Sequence, residues 1–491
     1  MAGPTHARAL AEAVLHSGRS HVFALTGDDN AALVHAFRER GVEVVQARHE
    51  SAAMAMAEGY ASETGRPSVC SVPHGLGLSE MAASLRVASR NRSAVVLIAA
   101  ATDQGVAAYR RMWPGEEPAA ALADALSLAA DRLRPVVLGV DAELLTSPVR
   151  VGTVRLPAPR PRTGVEVGDD EAAARRLTAV LSRGRRPVLV AGRGVLAAGC
   201  ADLVRELAEH TGAALATTLP AKGLFDGHTL DLGLAGGLAH PAADRVLRAA
   251  DVVLGFGATL GRLGRQCAAA RVVRVVDQDS AGGETAGGEF ETLIGNAAEV
   301  LTRLRGTATR RPPWFEPVGP ASDCWRADLR DFAPPIAAGT VDPRLALAGI
   351  GPLIPPDAVV VVGGGRGADF ACALVARPRD GRFLAAGRLG LPTAVGTALA
   401  SPRRKVVVFE GDGDFASHAH ELGTARRAGA DLTVFVLNDG ASTVAGAGAR
   451  IVDGESAGPV AREALRPGIA VVEVRTDPSV VHRRLRLKPH S

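Results

Sequence analysis

VVVFEGDGDFASHAHELGTARRAGADLTVFVLND, residues 406–439, is the stretch that decides the fold. It opens on a β-branched run, turns at Gly411-Asp412-Gly413, passes through an Ala-rich segment and closes on a second apolar run ending in Asn438-Asp439. Strand, glycine turn, helix and strand make one βα unit. If its strands are neighbours joined by a right-handed crossover, they lie about 4.8 Å apart, with Asp412 and Asn438 at the same end. Two converging oxygen-bearing side chains suit one hard cation, which also takes carbonyl oxygens and keeps positions for water or phosphate. Gly411 and Gly413 let the backbone approach a diphosphate, and amides near Asp414 and Phe415 add donors where the following helix begins. A ligand-free βα turn is the plainer alternative.

The same alternation runs outward through the chain. The first part carries strands near Val22–Leu25, Val42–Gln46, Ser68–Val72 and Val95–Ala99, with helices over Ser51–Ser62 and Glu80–Ser89. The second carries Val188–Ala191, Ala213–Thr217, Val252–Phe256 and Val272–Val276; the third adds Val359–Val362, Lys405–Phe409, Leu432–Leu437 and Ala470–Val474. Pro- and Arg-rich stretches at Arg155–Val165 and Arg303–Ser322 read as linkers. The expected class is therefore α/β, with three doubly wound parallel-sheet domains at residues 1–154, 166–305 and 323–491.

Ligands of open parallel sheets bind beyond the strand carboxyl ends, which directs attention to Glu50 in VVQARHESAAMAMAEGYA, residues 44–61. Glu50 follows a strand and opens a helix, with His49 beside it. Position 53 is Ala53, so no His-Glu-x-x-His zinc pattern exists, and His418 and His420, two apart, do not share a helix face. By itself Glu50 reads more often as a helix-start carboxylate favoured by the dipole than as a catalytic acid. His74, in the turn after Ser68–Val72, is a candidate proton relay or carboxylate ligand, with a hydrogen-bonded loop histidine as the alternative. Asp28 and Asp29 sit beyond the first strand, where Asp is also a common turn residue.

Composition narrows the class. At 491 residues, with 47% hydrophobic and 22% charged residues, the chain has material for several cores. A net charge of only +4 with Arg spread throughout, and 3% aromatic residues, argue against nucleic acid as a partner. Cys70, Cys200, Cys267, Cys324 and Cys372 lie far apart and read as small buried hydrophobes. Met1–Leu25 lacks a signal-peptide pattern, and no apolar run reaches about 18 residues, so a cytoplasmic protein without membrane contact is expected.

Taken together, several motifs carry a resemblance. Near the start they are Arg48-His49-Glu50, Ala57-Glu58-Gly59-Tyr60, Thr64-Gly65-Arg66-Pro67 and Gly75-Leu76-Gly77. Near the end they are Gly390-Leu391-Pro392 with Ala394 and Gly396, then Gly411-Asp412-Gly413, Glu421-Leu422 with Thr424, and Asn438. These resemble the thiamine-diphosphate-dependent enzymes of acetolactate synthase, pyruvate decarboxylase and benzoylformate decarboxylase type, in a shortened form. The resemblance implies pyrimidine-binding, central Rossmann-like and diphosphate-binding domains in that order, with thiamine diphosphate and Mg²⁺ as cofactors. It implies Asp412, Asn438 and Gly440 at the metal. It places Gly75, Gly390, Gly411, Gly413, Asp414 and Phe415 at the cofactor, and Glu50 on N1′ of its aminopyrimidine, with His74 as a second catalytic candidate. A small-molecule 2-oxo acid would be decarboxylated, or ligated to a second carbonyl, through a C2 carbanion and an enamine. The active sites would lie between subunits of a homodimer or homotetramer.

Some relatives hold FAD in the central domain. Here Pro187–Gly194 (PVLVAGRG) is followed by Leu196 and Ala197 where the dinucleotide fingerprint needs a third Gly, so a structural domain is favoured over FAD. The chain also departs from the pattern. The stretch between Ala368 and Gly390 is short and lacks a Gly-x-Met-Gly element, Asn438 is followed by Asp439, and the chain after it is brief. These losses motivate the alternative of a catalytically lapsed scaffold or regulatory subunit.

Overall fold

The computed structural model describes residues 4–73, 80–100, 108–149, 169–260, 263, 266–267, 269–276, 290–318, 337–444, 448–452 and 457–482. Its strands form three six-stranded sheets, parallel throughout. The first comprises β1 (His21–Ala24), β2 (Glu43–Gln46), β3 (Ser68–Ser71), β4 (Val95–Ala99), β5 (Ala108–Arg111) and β6 (Val136–Gly139), in the order β2-β1-β3-β4-β6-β5. The second comprises β7 (Pro187–Ala191), β8 (Ala214–Thr217), β9 (Asp231–Leu234), β10 (Val252–Phe256), β11 (Arg271–Val276) and β12 (Glu291–Ile294), in the order β12-β11-β10-β7-β8-β9. The third comprises β13 (Val359–Val362), β14 (Arg382–Ala385), β15 (Val406–Gly411), β16 (Leu432–Asn438), β17 (Arg450–Val452) and β18 (Ala470–Arg475), in the order β14-β13-β15-β16-β18-β17. The first and third sheets thus have the same strand order.

Sheets covered by helices on both faces need strands that are apolar on both sides, and β13, β15 and β16 are buried at every position. Edge strands are under no such demand. β5, β9, β12, β14 and β17 all lie at sheet edges, and β5 and β12 are half-exposed along their length. Their Arg, Glu and Asp residues break the apolar runs by which interior strands are recognised, so these edge strands carry no clear strand signal in the sequence. The interior strand β6 is not among the strands expected from sequence, its apolar run being only four residues long.

The first and third sheets belong to one compact unit and the second to another. Within the first unit a continuous core runs from Phe23, Met54 and Leu97 to Val361, Leu391 and Val434. Its centre is the crossing of helices Glu50–Thr64 and Gly390–Ala400. Buried Glu58 is satisfied there by Asn91 at 2.9 Å, Ser93 at 3.1 Å and Thr393 at 3.4 Å. Small residues set the closeness. A Cβ added at Gly396 would lie 1.8 Å from the Met56 carbonyl oxygen, and one at Gly59 would lie 2.1 Å from that of Thr393. Gly→Ala inside a helix ordinarily gains about 1 kcal/mol of propensity. Here the overlap is with backbone, and overpacking costs about 1–3 kcal/mol or more. Gly396→Ala is therefore expected to lower the denaturation midpoint; a raised midpoint would contradict this packing.

In the second unit the first part of the expected linker Arg303–Ser322 is fixed instead of free. Arg303 and Arg305 end the helix Ala297–Arg305, Trp314 Nε1 donates to the Pro187 carbonyl at 2.9 Å, and Phe315 packs on the core of the second sheet. Buried aromatic surface outweighs the Pro-rich composition there. The other linker, Arg155–Val165, lies outside the described residues. Cys70, Cys200, Cys267 and Cys372 are buried and take part in no disulfide, and Cys324 lies outside the described residues.

Candidate cofactor site

In the third sheet the chain passes from β13 outward to β14, then back across β13 to β15. The carboxyl ends of β13 and β15 therefore flank the point where strand order reverses, the usual crevice for a ligand. Gly363-Gly364-Gly365 follows β13, Gly411 ends β15, and Asp412-Gly413-Asp414 open the helix Asp412–His418. The two loops touch through backbone: the Gly411 amide donates to Gly364 O at 2.7 Å, and a Cβ on Gly365 would come within 2.7 Å of Gly411 Cα. Gly365 also holds φ +102°, a conformation reserved to glycine.

β15 and β16 are parallel neighbours with Gly411 opposite Leu437, so Asp412 and Asn438 leave the sheet side by side, as the sequence predicts. Both are buried. Asp412 Oδ2 accepts from the Ser442 amide at 2.5 Å. Asn438 donates through Nδ2 to Glu473 on β18 at 2.7 Å and accepts through Oδ1 from the Gly440 amide at 2.8 Å. Gly440 itself has φ +89°. Burial, reinforced by Asp439, pushes the Asp412 carboxyl above its ordinary range, and no ion pair among the described residues neutralises it. A buried, uncompensated carboxylate beside an oriented amide oxygen is the donor set a hard divalent cation takes. Phe415, by contrast, turns into the core, leaving only its backbone for a ligand.

Glu410, two residues before Asp412, is a further feature of this floor. It is fully buried; its Oε2 accepts from the Leu391 amide at 3.2 Å, and its Oε1 has no partner. A Cβ on Gly390 would lie 2.4 Å from Oε2, so Gly390 is needed for the acid to fit. Burial, aided by Asp414, raises its pKa to about 8. The folded state then retains a proton that the unfolded chain loses above its usual pKa near 4.5, so stability falls as pH rises from about 4.5 to 8. We expect Glu410→Gln to flatten thermal stability against pH over this window; an unchanged slope would contradict the assignment.

Glu50 opens the helix Glu50–Thr64 as expected, behind an N-cap in which His49 Nδ1 accepts from the Ser51 amide. His49 Nδ1 lies 3.8 Å from Glu50 Oε2. The preceding strand rests on helix Glu421–Arg427: the Arg48 amide donates to Glu421 Oε1 at 2.8 Å, and Gln46 O accepts from Thr424 at 3.2 Å. Among the described residues no hydrogen bond or ion pair joins Glu50 to Asp412 or Asn438 of the same chain. His74 and Gly75 lie outside the described residues. The structure thus brings together Asp412, Asn438, Gly411, Gly413, Asp414, Gly390 and Gly440, with Glu50 at the start of the helix that follows β2 of the first sheet.

Sequence reasoning missed Glu410, Ser442 and Glu473. Two of these carried a signal, since Glu410 and Glu473 are single carboxylates within otherwise Val-rich strands.

Comparison with known proteins agrees with this geometry. The thiamine pyrophosphate enzyme N-terminal TPP binding domain matches residues 4–122, the central domain of that family matches 174–304, and its C-terminal TPP binding domain matches 380–469. Acetolactate synthase of Mycobacterium bovis is 27% identical over 444 residues, covering 82% of this chain and 71% of that protein. Acetolactate synthase isozyme 1 large subunit of Escherichia coli is 26% identical over 431 residues, covering 80% and 74%. An X-ray structure of an enzyme from Mycobacterium smegmatis, assigned as thiamin diphosphate-dependent, superposes with TM-score 0.77 at 21% identity, covering 97% of this chain and all of that one, which bears on fold alone. With its three domains matched in order, the chain belongs to the thiamine pyrophosphate enzyme family.

Proposed function

We propose that this protein decarboxylates a 2-oxo acid, with or without transfer of the product to a second carbonyl, using thiamine diphosphate held through Mg²⁺. Asp412, Asn438 and the Gly440 backbone hold the metal. Gly390, Gly411, Gly413 and the backbone of Asp414 and Phe415 line the diphosphate, with residues 323–491 as its domain. Residues 1–154 form the pyrimidine-binding domain, with Gly75 at the cofactor and His74 near the substrate, and residues 166–305 the central domain. When bound, the coenzyme supplies a nucleophilic carbon and an electron sink for the departing carboxylate. Glu50 holds or releases a proton at the aminopyrimidine N1′. As the family resemblance implies, the two ends of the coenzyme are shared between copies in a homodimer or homotetramer, in the cytoplasm.

The observation carrying this reading is the register of β15 on β16, which sets a buried, unneutralised carboxylate next to Asn438. The test is CO₂ release and product analysis from a panel of 2-oxo acids. Turnover requiring both thiamine diphosphate and Mg²⁺ is expected. Silence across the panel would overturn the reading in favour of a non-catalytic family member.

A further inference from the structure

Arg388 lies in the turn after β14 and Arg366 opens the helix Arg366–Leu374 after β13, so both stand beyond the carboxyl ends of strands on the β14 side of β15, beside the crevice. Each is paired with a carboxylate of the acidic turns. Arg388 Nε donates to Asp414 Oδ1 at 3.0 Å, and Arg366 Nε lies 3.6 Å from Asp439 Oδ2. The carboxylates belong to the wall, with side-chain exposures of 8% for Asp414 and 16% for Asp439. The arginines project from it, at 82% and 63%. In both pairs the Nε edge faces the acid, and no hydrogen bond among the described residues uses the Nη groups of either arginine.

A guanidinium presents five N–H donors in a planar fork, so a carboxylate at one edge leaves the other free for a second oxyanion. Ion pairs this exposed add little to stability, so stability does not account for two of them bordering one crevice. Charge points the same way. Asp412, Asp414 and Asp439 would repel a diphosphate, but one divalent cation together with two guanidiniums more than offsets three carboxylates. The backbone floor at Gly364 is close to the Arg388–Asp414 pair: a Cβ on Gly364 would meet Asp414 Oδ2 at 2.0 Å.

We propose that Arg388 and Arg366 form a two-armed clamp for diphosphate oxygens, tethered by Asp414 and Asp439 so that the guanidinium tips face the ligand. The inference rests on the thiamine diphosphate reading above.

The test is calorimetric titration at fixed Mg²⁺ of thiamine diphosphate, inorganic pyrophosphate and thiamine into the wild type, Arg388→Met, Arg366→Met and the double variant. Methionine keeps an apolar stem without the charge, and melting curves confirm folding. The double variant should lose at least about tenfold in affinity for both diphosphates, with a shallower salt dependence and unchanged thiamine binding. Arg388→Lys in the single background should recover only part of the loss, because the fork is missing. Double-variant affinity for thiamine diphosphate within about twofold of wild type would overturn the clamp and leave the coenzyme reading intact. Arginine-dependent binding of pyrophosphate without binding of thiamine diphosphate would sustain the clamp and overturn that reading. A wild type that binds neither diphosphate would overturn both.

Discussion

Replacing Glu50 with Gln is expected to reduce turnover by about 10²- to 10⁴-fold, the usual contribution of a positioned acid–base group, while coenzyme affinity stays within a few fold. Gln matches Glu in shape and can still hydrogen-bond, but it cannot exchange a proton with a ring nitrogen. The site favours a clean reading. Glu50 lies at the first position of its helix, with His49 as its one ion-pairing neighbour within 4 Å among the described residues. Losing its charge at the helix N-terminus costs about 0.3–1 kcal/mol, too little to unfold the compact unit. The check is kcat at saturating coenzyme, set beside a calorimetric Kd for the same preparation. Unimpaired turnover would remove Glu50 from the chemistry, and a collapse of binding alone would make it a binding residue only.

The second large effect is expected at Asp412. Asp412→Ala removes the one carboxylate that β15 delivers next to Asn438, and thiamine diphosphate binding in the presence of Mg²⁺ should weaken by about two orders of magnitude or more. The apo variant should remain folded, because a buried carboxylate without a cation contributes little and the loss of its bond to the Ser442 amide costs only about 1 kcal/mol. Thermal melting separates the two effects. Wild type saturated to 100 times Kd gains about 2.7 kcal/mol, seen as a raised Tm, whereas the variant at the same concentrations should gain almost none. An equal Tm rise in both proteins would contradict a metal site at Asp412.

Much of this arrangement is legible in the chain itself. Val406–Asn438 announces a βα unit because buried parallel strands must be apolar on both faces, and the residues after such runs fall at one edge of the sheet. Glu50 is legible for the same reason, since it terminates one run and opens the next helix. The edge strands are not: β14 and β17 carry Arg where interior strands carry Val, and only pairing with β13 and β18 makes them strands. Nor does sequence spacing reveal that Glu473, 35 residues beyond Asn438, orients its amide. That contact depends on β18 lying beside β16, a tertiary fact with no local signal.

The central claim is that Glu50 of one copy and the Asp412 turn of another serve a single coenzyme, and subunit complementation tests it most directly. Glu50→Gln and Asp412→Ala proteins, each inactive alone, are mixed under conditions that exchange subunits, and CO₂ release from the active 2-oxo acid is measured. Each mixed dimer then contains one fully intact site, so about a quarter of wild-type activity should return in an equimolar mixture. If demonstrated subunit exchange restores no activity, the two groups do not meet across an interface, and the proposed shared site is contradicted.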